Sequence, residues 1–122
     1  MENRKHPTIL IADRGTGKST SLLRMALKEH GNIAVFNRMT GHVFAAIAED
    51  VLKIPKERIQ SIGNGWYMID DVLVAPFSAY MERPTGTYMK PERPLFIDEL
   101  EACLRNMLYR NQTIGGFTMS IE

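Results

Sequence analysis

The chain has 122 residues, of which 44% are apolar and 24% are charged, and its formal net charge is +1. This length predicts one domain over residues 1–122, and the composition excludes wholesale disorder. The nearly balanced charge excludes a general electrostatic attraction to nucleic acid, so any such contact needs a local patch. The lone cysteine, Cys103, excludes an internal disulfide and a cysteine-rich zinc site. We therefore expect a reducing, cytoplasmic location and, without an apolar run long enough to cross a bilayer, no membrane partner.

The first strong pattern lies between residues 8 and 29. An apolar run at 8–11 precedes the sequence Ala-Asp-Arg-Gly-Thr-Gly-Lys-Ser-Thr at 12–20, and an amphipathic run follows. This order predicts a strand at 8–12, a glycine-bearing loop, and a helix that ends near residue 29. The glycines allow a sharp turn, while loop N–H groups and the helix N-terminus attract phosphate oxygens.

The loop resembles the Walker A motif of the P-loop NTPases, with Ala12 as a tolerated variant of the first glycine. The resemblance implies that Lys18 contacts the β- and γ-phosphates of ATP and that the Ser19 hydroxyl holds Mg²⁺. The residues expected to bind the nucleotide are Asp13, Arg14, Gly15, Thr16, Gly17, Lys18, Ser19 and Thr20. The alternative is an ordinary glycine turn with a solvated lysine.

Further elements follow in chain order. Apolar runs and turn residues predict a strand at 33–36, a helix at 42–52, a short strand at 58–62, and a hairpin at 66–75. Residues 77–93 read as an irregular surface loop. The order strand, loop, helix, strand favours a parallel sheet with a right-handed crossover. Together with this order, the resemblance to the P-loop NTPases implies an α/β, three-layer P-loop NTPase fold, with a compact, mostly parallel sheet flanked by helices and a β-hairpin insertion.

A second motif lies at residues 94–100, where three apolar residues precede Asp98 and Glu99. This stretch resembles the Walker B motif, which implies that Asp98 holds Mg²⁺, mostly through water, and that Glu99 orients and deprotonates the attacking water. Lys18 and Glu99 are thus the expected catalytic residues. Two alternatives remain open: the acids could belong to the first turn of a helix at 99–109, or residues 67–71 could be the motif, although they fit a hairpin turn better.

The two motifs together resemble the P-loop ATPases with an additional glutamate, a division that includes helicases, recombinases, AAA proteins and viral DNA-packaging motors. The layout of residues 64–74 is similar to the strand pair before Walker B in terminase- and helicase-like members. The resemblance also implies a polar sensor, Thr118 or Ser120, on a last strand at 117–121. It further implies an arginine finger from a neighbouring subunit, for which the candidates are Arg83, Arg93, Arg105 and Arg110.

The resemblance thus implies a Mg²⁺-dependent ATP-binding protein that hydrolyses ATP, with a link to nucleic-acid processing or DNA packaging. Its compact, methionine-rich character suggests a phage or mobile-element gene and, for a phage protein, a host-cytoplasmic location. The alternatives are a nucleotide-binding switch without turnover and a small P-loop kinase. Expected partners are a second copy or another protein, and DNA or RNA through two basic clusters. These clusters are Lys53, Lys56 and Arg58, and Arg83, Lys90 and Arg93 with Tyr80 and Tyr88 interleaved.

Overall fold

A computed structural model describes residues 17–82, 92–108, 112–116 and 118. Within these residues the fold is α/β, with an open five-stranded sheet flanked by helices. The strands are β1 (Asn32–Val35), β2 (Ile59–Gly63), β3 (Trp66–Ile69), β4 (Val72–Pro76) and β5 (Leu95–Ile97). The helices are α1 (Lys18–Glu29), α2 (Arg38–Asp50), α3 (Phe77–Met81) and α4 (Leu100–Arg105), with a 3₁₀ turn at Lys56–Arg58.

The sheet is mixed, with the strand order β2-β3-β4-β1-β5. Strand β1 pairs in parallel with β4 and β5, whereas β2-β3 and β3-β4 are antiparallel. The expectation of a mostly parallel sheet is therefore wrong. The predicted hairpin is present as β3-β4, but β4 is a central strand and not part of an edge insertion. Its four residues from Val72 to Ala75 are fully buried, as a strand covered on both faces requires.

Side-chain alternation along the central strands divides the core into two clusters. Ile33 and Val35 of β1 face α1 and α2, where they pack with Leu23 and Phe44. Ala34 points to the opposite face, in the cluster that contains residues of α3 and α4. The sheet is thus covered on both sides, which gives the three layers that the sequence predicted.

Helix α2 begins at Arg38, four residues before the predicted start. The Asn37 side chain caps it, because its Oδ1 accepts a hydrogen bond from the Thr40 backbone N–H at 2.9 Å. Gly41 lies inside the helix and not in a turn. A Cβ at this position would collide with the backbone oxygen of Gly65 in the β2-β3 turn. Gly41 is therefore explained by close packing between α2 and that turn.

The predicted loop at 77–93 is wrong in its first part, because α3 occupies Phe77–Met81. Phe77 and Tyr80 are buried, and Asn32 Nδ2 donates a hydrogen bond to the Tyr80 hydroxyl at 3.1 Å. Two buried aromatics one helical turn apart thus attach this segment to the sheet.

Several predicted elements fall beyond the described part of the chain. The strand at 8–12 and residues 83–91 lie outside it, as does most of the strand at 117–121. Thr118 is described, but it is exposed and belongs to no strand. The helix predicted at 99–109 is shorter than expected, since α4 ends at Arg105. No helix in the described ranges has the length and apolar character needed to span a bilayer.

Candidate functional site

Helix α1 begins with an unusual backbone conformation. Its N-cap residue, Gly17, has φ 85° and ψ 19°, in the left-handed region that favours glycine. A Cβ at Gly17 would meet nothing within 4 Å, so the need for glycine is conformational and not steric. Lys18, Ser19 and Thr20 follow as the first turn of α1, and all three are partly buried.

The two acidic residues follow β5 directly. The Asp98 backbone N–H donates to the Ala34 carbonyl oxygen at 2.9 Å, which places Asp98 at the carboxyl end of the parallel strands. Its side chain is buried, with the residue only 6% exposed. Glu99 then adopts φ 54° and ψ 58° as the N-cap of α4. The left-handed turn separates the two acids into a buried site and an exposed one.

The start of α1 and the end of β5 meet through their side chains. Ser19 Oγ donates a hydrogen bond to Asp98 Oδ1 at 3.2 Å, across 79 residues of sequence. Lys18 Nζ lies 3.7 Å from Glu99 Oε1. Glu99 is the N-cap residue of α4, as the alternative of an acid at the helix start expects, but its side chain makes no capping hydrogen bond. The structure therefore brings together the four residues that the two motifs singled out for metal binding and catalysis.

Burial raises the pKa of the Asp98 carboxyl above its ordinary value. The hydrogen bond from Ser19 opposes this rise, while the negative charge of Glu99 adds to it and the positive charge of Lys18 opposes it. The balance shows that the protein groups around Asp98 do not fully compensate for the loss of hydration. A nearby cation would favour the charged form of this carboxylate.

Cys103 supports the turn that carries both acids, and sequence reasoning missed this role. Its Sγ donates to the Asp98 carbonyl oxygen at 3.3 Å, and its backbone N–H donates to the Glu99 carbonyl oxygen at 3.0 Å. Burial raises the pKa of the Cys103 thiol to about 11, so the group is a neutral donor. The four-residue spacing between Glu99 and Cys103, which is typical of a helical hydrogen bond, is the sequence feature that could have predicted this contact.

The Ser19 hydroxyl and the Asp98 carboxylate are oxygen ligands of the type that Mg²⁺ uses. Among the described residues no group of three or more His, Cys, Asp or Glu side chains could hold a metal ion. Mg²⁺ retains several waters and binds through one or two carboxylates plus substrate phosphates, so such a cluster is not required. The residues present therefore fit a nucleotide-bound Mg²⁺. The other predicted loop residues, Asp13 to Thr16, lie outside the described residues.

The second candidate for the acidic motif lies at the opposite end of the parallel strands from Asp98. Asp70 and Asp71 form the turn before β4, where the parallel strands begin. Arg58 donates to both carboxylate oxygens of Asp70, at 2.5 and 2.6 Å, and His30 Nδ1 lies 2.7 Å from Asp71 Oδ2. These acids are thus part of a hairpin turn held by ion pairs, away from Lys18.

Two of the candidate arginine fingers have partners elsewhere. Arg93 donates to the Asp71 backbone oxygen and lies 3.5 Å from its carboxylate, at the edge opposite Asp98. Arg105 pairs with Glu101 on α4. Arg83 and Arg110 lie outside the described residues. Within its own chain, Arg93 therefore lies at the end of the parallel strands opposite to Asp98.

The basic clusters are also largely neutralised where the structure describes them. Lys56 Nζ lies 3.6 Å from Glu49, and Arg58 is paired with Asp70. Tyr80 is buried and cannot stack on a base. These contacts give no support to a nucleic-acid site at either cluster. Lys90 and Tyr88 lie outside the described residues.

Comparisons of this chain with models of protein families, with curated proteins and with solved structures find no match.

Proposed function

We propose that this chain is a Mg²⁺-dependent ATP-binding protein of the P-loop class that hydrolyses ATP. The observation that carries the proposal is the contact of Lys18 and Ser19 with Glu99 and Asp98. Each pair was selected by a separate sequence motif, and the pairs are far apart in the chain. A glycine turn with a solvated lysine gives no reason for these four side chains to converge.

Each residue has a role that its environment permits. Lys18 supplies a positive charge for the β- and γ-phosphates, next to the first-turn N–H groups of α1. Ser19 and Asp98 would hold Mg²⁺, which when bound neutralises phosphate charge. Glu99 is about half exposed and can accept a proton from water. Hydrolysis would thus depend on positioning and charge stabilisation.

A second function, nucleotide binding without turnover, is favoured by one observation. The Glu99 carboxylate lies against Lys18, and a carboxylate that contacts this cation is not positioned by that contact to orient an attacking water. In this alternative the chain would be a switch that acts through a protein partner. The kinase alternative requires a lid and an acceptor pocket, and residues 83–91 of the expected lid lie outside the described residues.

The experiment is phosphate release from ATP with and without Mg²⁺, for wild type, Lys18→Ala and Glu99→Gln. Lys28→Ala, on the last turn of α1, is the matched control. We expect Mg²⁺-dependent release by wild type and Lys28→Ala, and at least a 100-fold loss in the other two variants. Nucleotide binding without release in wild type would reject hydrolysis and leave the switch.

A nucleic-acid partner is tested in the same assay by adding single-stranded DNA or RNA. Stimulation of release would link the activity to nucleic acid despite the neutralised basic clusters. Equal rates with and without nucleic acid would favour a protein partner or a second copy of the chain.

A further inference from the structure

We infer that the Glu99 carboxylate occupies the place of a phosphate in the nucleotide-free chain and that nucleotide binding releases it from Lys18. This inference rests on the proposed function and adds a regulatory step to the same site. It would keep the carboxylate that serves hydrolysis bound to Lys18 until a phosphate replaces it.

The geometry of the contact carries the inference. Lys18 and Glu99 occupy the first position of α1 and the N-cap of α4, and the atoms Nζ and Oε1 are 3.7 Å apart. The side chains are 23% and 49% exposed, so a ligand from solvent can reach both groups. Gly17, which precedes Lys18, and Glu99 both have left-handed backbone, and the ion pair joins the two helix starts.

The charges of the three groups explain why a nucleotide phosphate would replace the Glu99 carboxylate at Lys18. A partly exposed ion pair is weak, whereas a nucleotide phosphate carries more negative charge and accepts hydrogen bonds from the same ammonium group. Once phosphate is bound, the Glu99 carboxylate faces a like charge and loses its attraction to Lys18. Phosphate and the Glu99 carboxylate thus compete for one cation.

The test uses Mg²⁺–ADP, which is not hydrolysed, and measures affinity by calorimetry for wild type, Glu99→Gln and Glu99→Asp. Glu99→Gln removes the charge, whereas Glu99→Asp keeps the charge but shortens the side chain and breaks the contact. Glu101→Gln, the next acid on α4, is the control for a general charge change. Thermal unfolding confirms that each variant is folded.

We expect Glu99→Gln and Glu99→Asp both to bind Mg²⁺–ADP about two- to fivefold more tightly than wild type, as a partly exposed ion pair predicts. Glu101→Gln should bind as wild type does. Tighter binding by Glu99→Gln alone would mean simple charge repulsion and would overturn the inference, as would equal affinity in all four proteins. If no protein in the set binds nucleotide, the proposed function itself fails.

Discussion

Asp98→Asn should make the nucleotide-free protein more stable at neutral pH. The wild-type carboxylate is buried, its pKa is raised by that burial, and its ionised form is therefore the less favourable one in the folded state. Asparagine has almost the same shape and keeps an oxygen that can accept the hydrogen bond from Ser19. The substitution removes the buried charge while leaving the packing nearly unchanged.

The size of the stabilisation expected for Asp98→Asn depends on how far neighbouring groups compensate the buried charge of the Asp98 carboxylate. An incompletely compensated buried polar group costs roughly 1–3 kcal/mol, and the hydrogen bond from Ser19 and the charge of Lys18 place Asp98 at the lower end. We therefore expect a gain of about 1 kcal/mol in the free energy of unfolding at pH 7.5. For a domain of this size that is a rise of about 4 °C in Tm.

The sign of the pH dependence gives a second check on the same variant. Because the folded-state pKa of Asp98 is raised above its ordinary value of 3.8, the folded chain binds more protons than the unfolded chain between those two values. The stability of wild type should therefore rise, relative to Asp98→Asn, as the pH falls through this window. The assay is thermal unfolding of both proteins from pH 7.5 to pH 4, without Mg²⁺ or nucleotide.

Two results would refute this reasoning. One is a lower Tm for Asp98→Asn at pH 7.5, and the other is a difference between the proteins that widens on acidification. A repeat with Mg²⁺–ATP tests the site, because wild type should gain stability from the ligand and Asp98→Asn should gain little.

Three further predictions concern the backbone and the core. Gly65→Ala should lower the free energy of unfolding, measured by urea denaturation, by about 2–4 kcal/mol. Gly65 has φ 79°, and a Cβ there would collide with the first residue of α2. Gly115→Ala, where a Cβ meets no atom within 4 Å, is the control and should have no effect. Cys103 should react with a thiol-specific disulfide reagent at pH 8 about 100-fold more slowly in the native chain than in the urea-unfolded chain. The reason is that the thiol is buried and its pKa is about 11. Equal rates in the two states would contradict the buried position of Cys103. Lys53→Gly and Glu99→Gly should each raise stability by up to about 1 kcal/mol by relieving a positive φ, but only Glu99→Gly should abolish phosphate release.

Local patterns were enough to predict much of the fold. The end of α1 at Glu29, the apolar strand β1 and the β3-β4 hairpin each depend on neighbouring residues, and the structure contains all three. The start of α2 depends on the Asn37 side chain, a cap that the sequence contained but that a search for apolar periodicity overlooked. Where the signal is local, the sequence is sufficient to predict an element and its approximate limits.

The errors arise where a distant contact decides the structure. Gly41 is required by the close packing of α2 against the β2-β3 turn, which no local pattern predicts. Strand β1 pairs in parallel with β4, whose paired residues lie 41 positions later in the chain, as for Ile33 and Val74. Helix α3 forms in an apparent loop because Tyr80 is buried near β1. The meeting of Lys18 and Ser19 with Asp98 and Glu99 was expected only because two motifs are used together, whereas Cys103 belongs to neither motif.

Two local costs of the structure fall on adjacent residues of the candidate site, although left-handed backbone also occurs at His30, Lys53 and Asp70. Asp98 is a buried acid whose charged form is disfavoured, and Glu99 holds a left-handed conformation that most residues avoid. Packing alone would favour a neutral side chain at the first position and glycine or asparagine at the second. Residues that oppose local stability in this way are expected where chemistry requires them. The buried Asp98 carboxyl therefore gives the proposed ligand site at the junction of α1 and β5 support from burial as well as from the motifs.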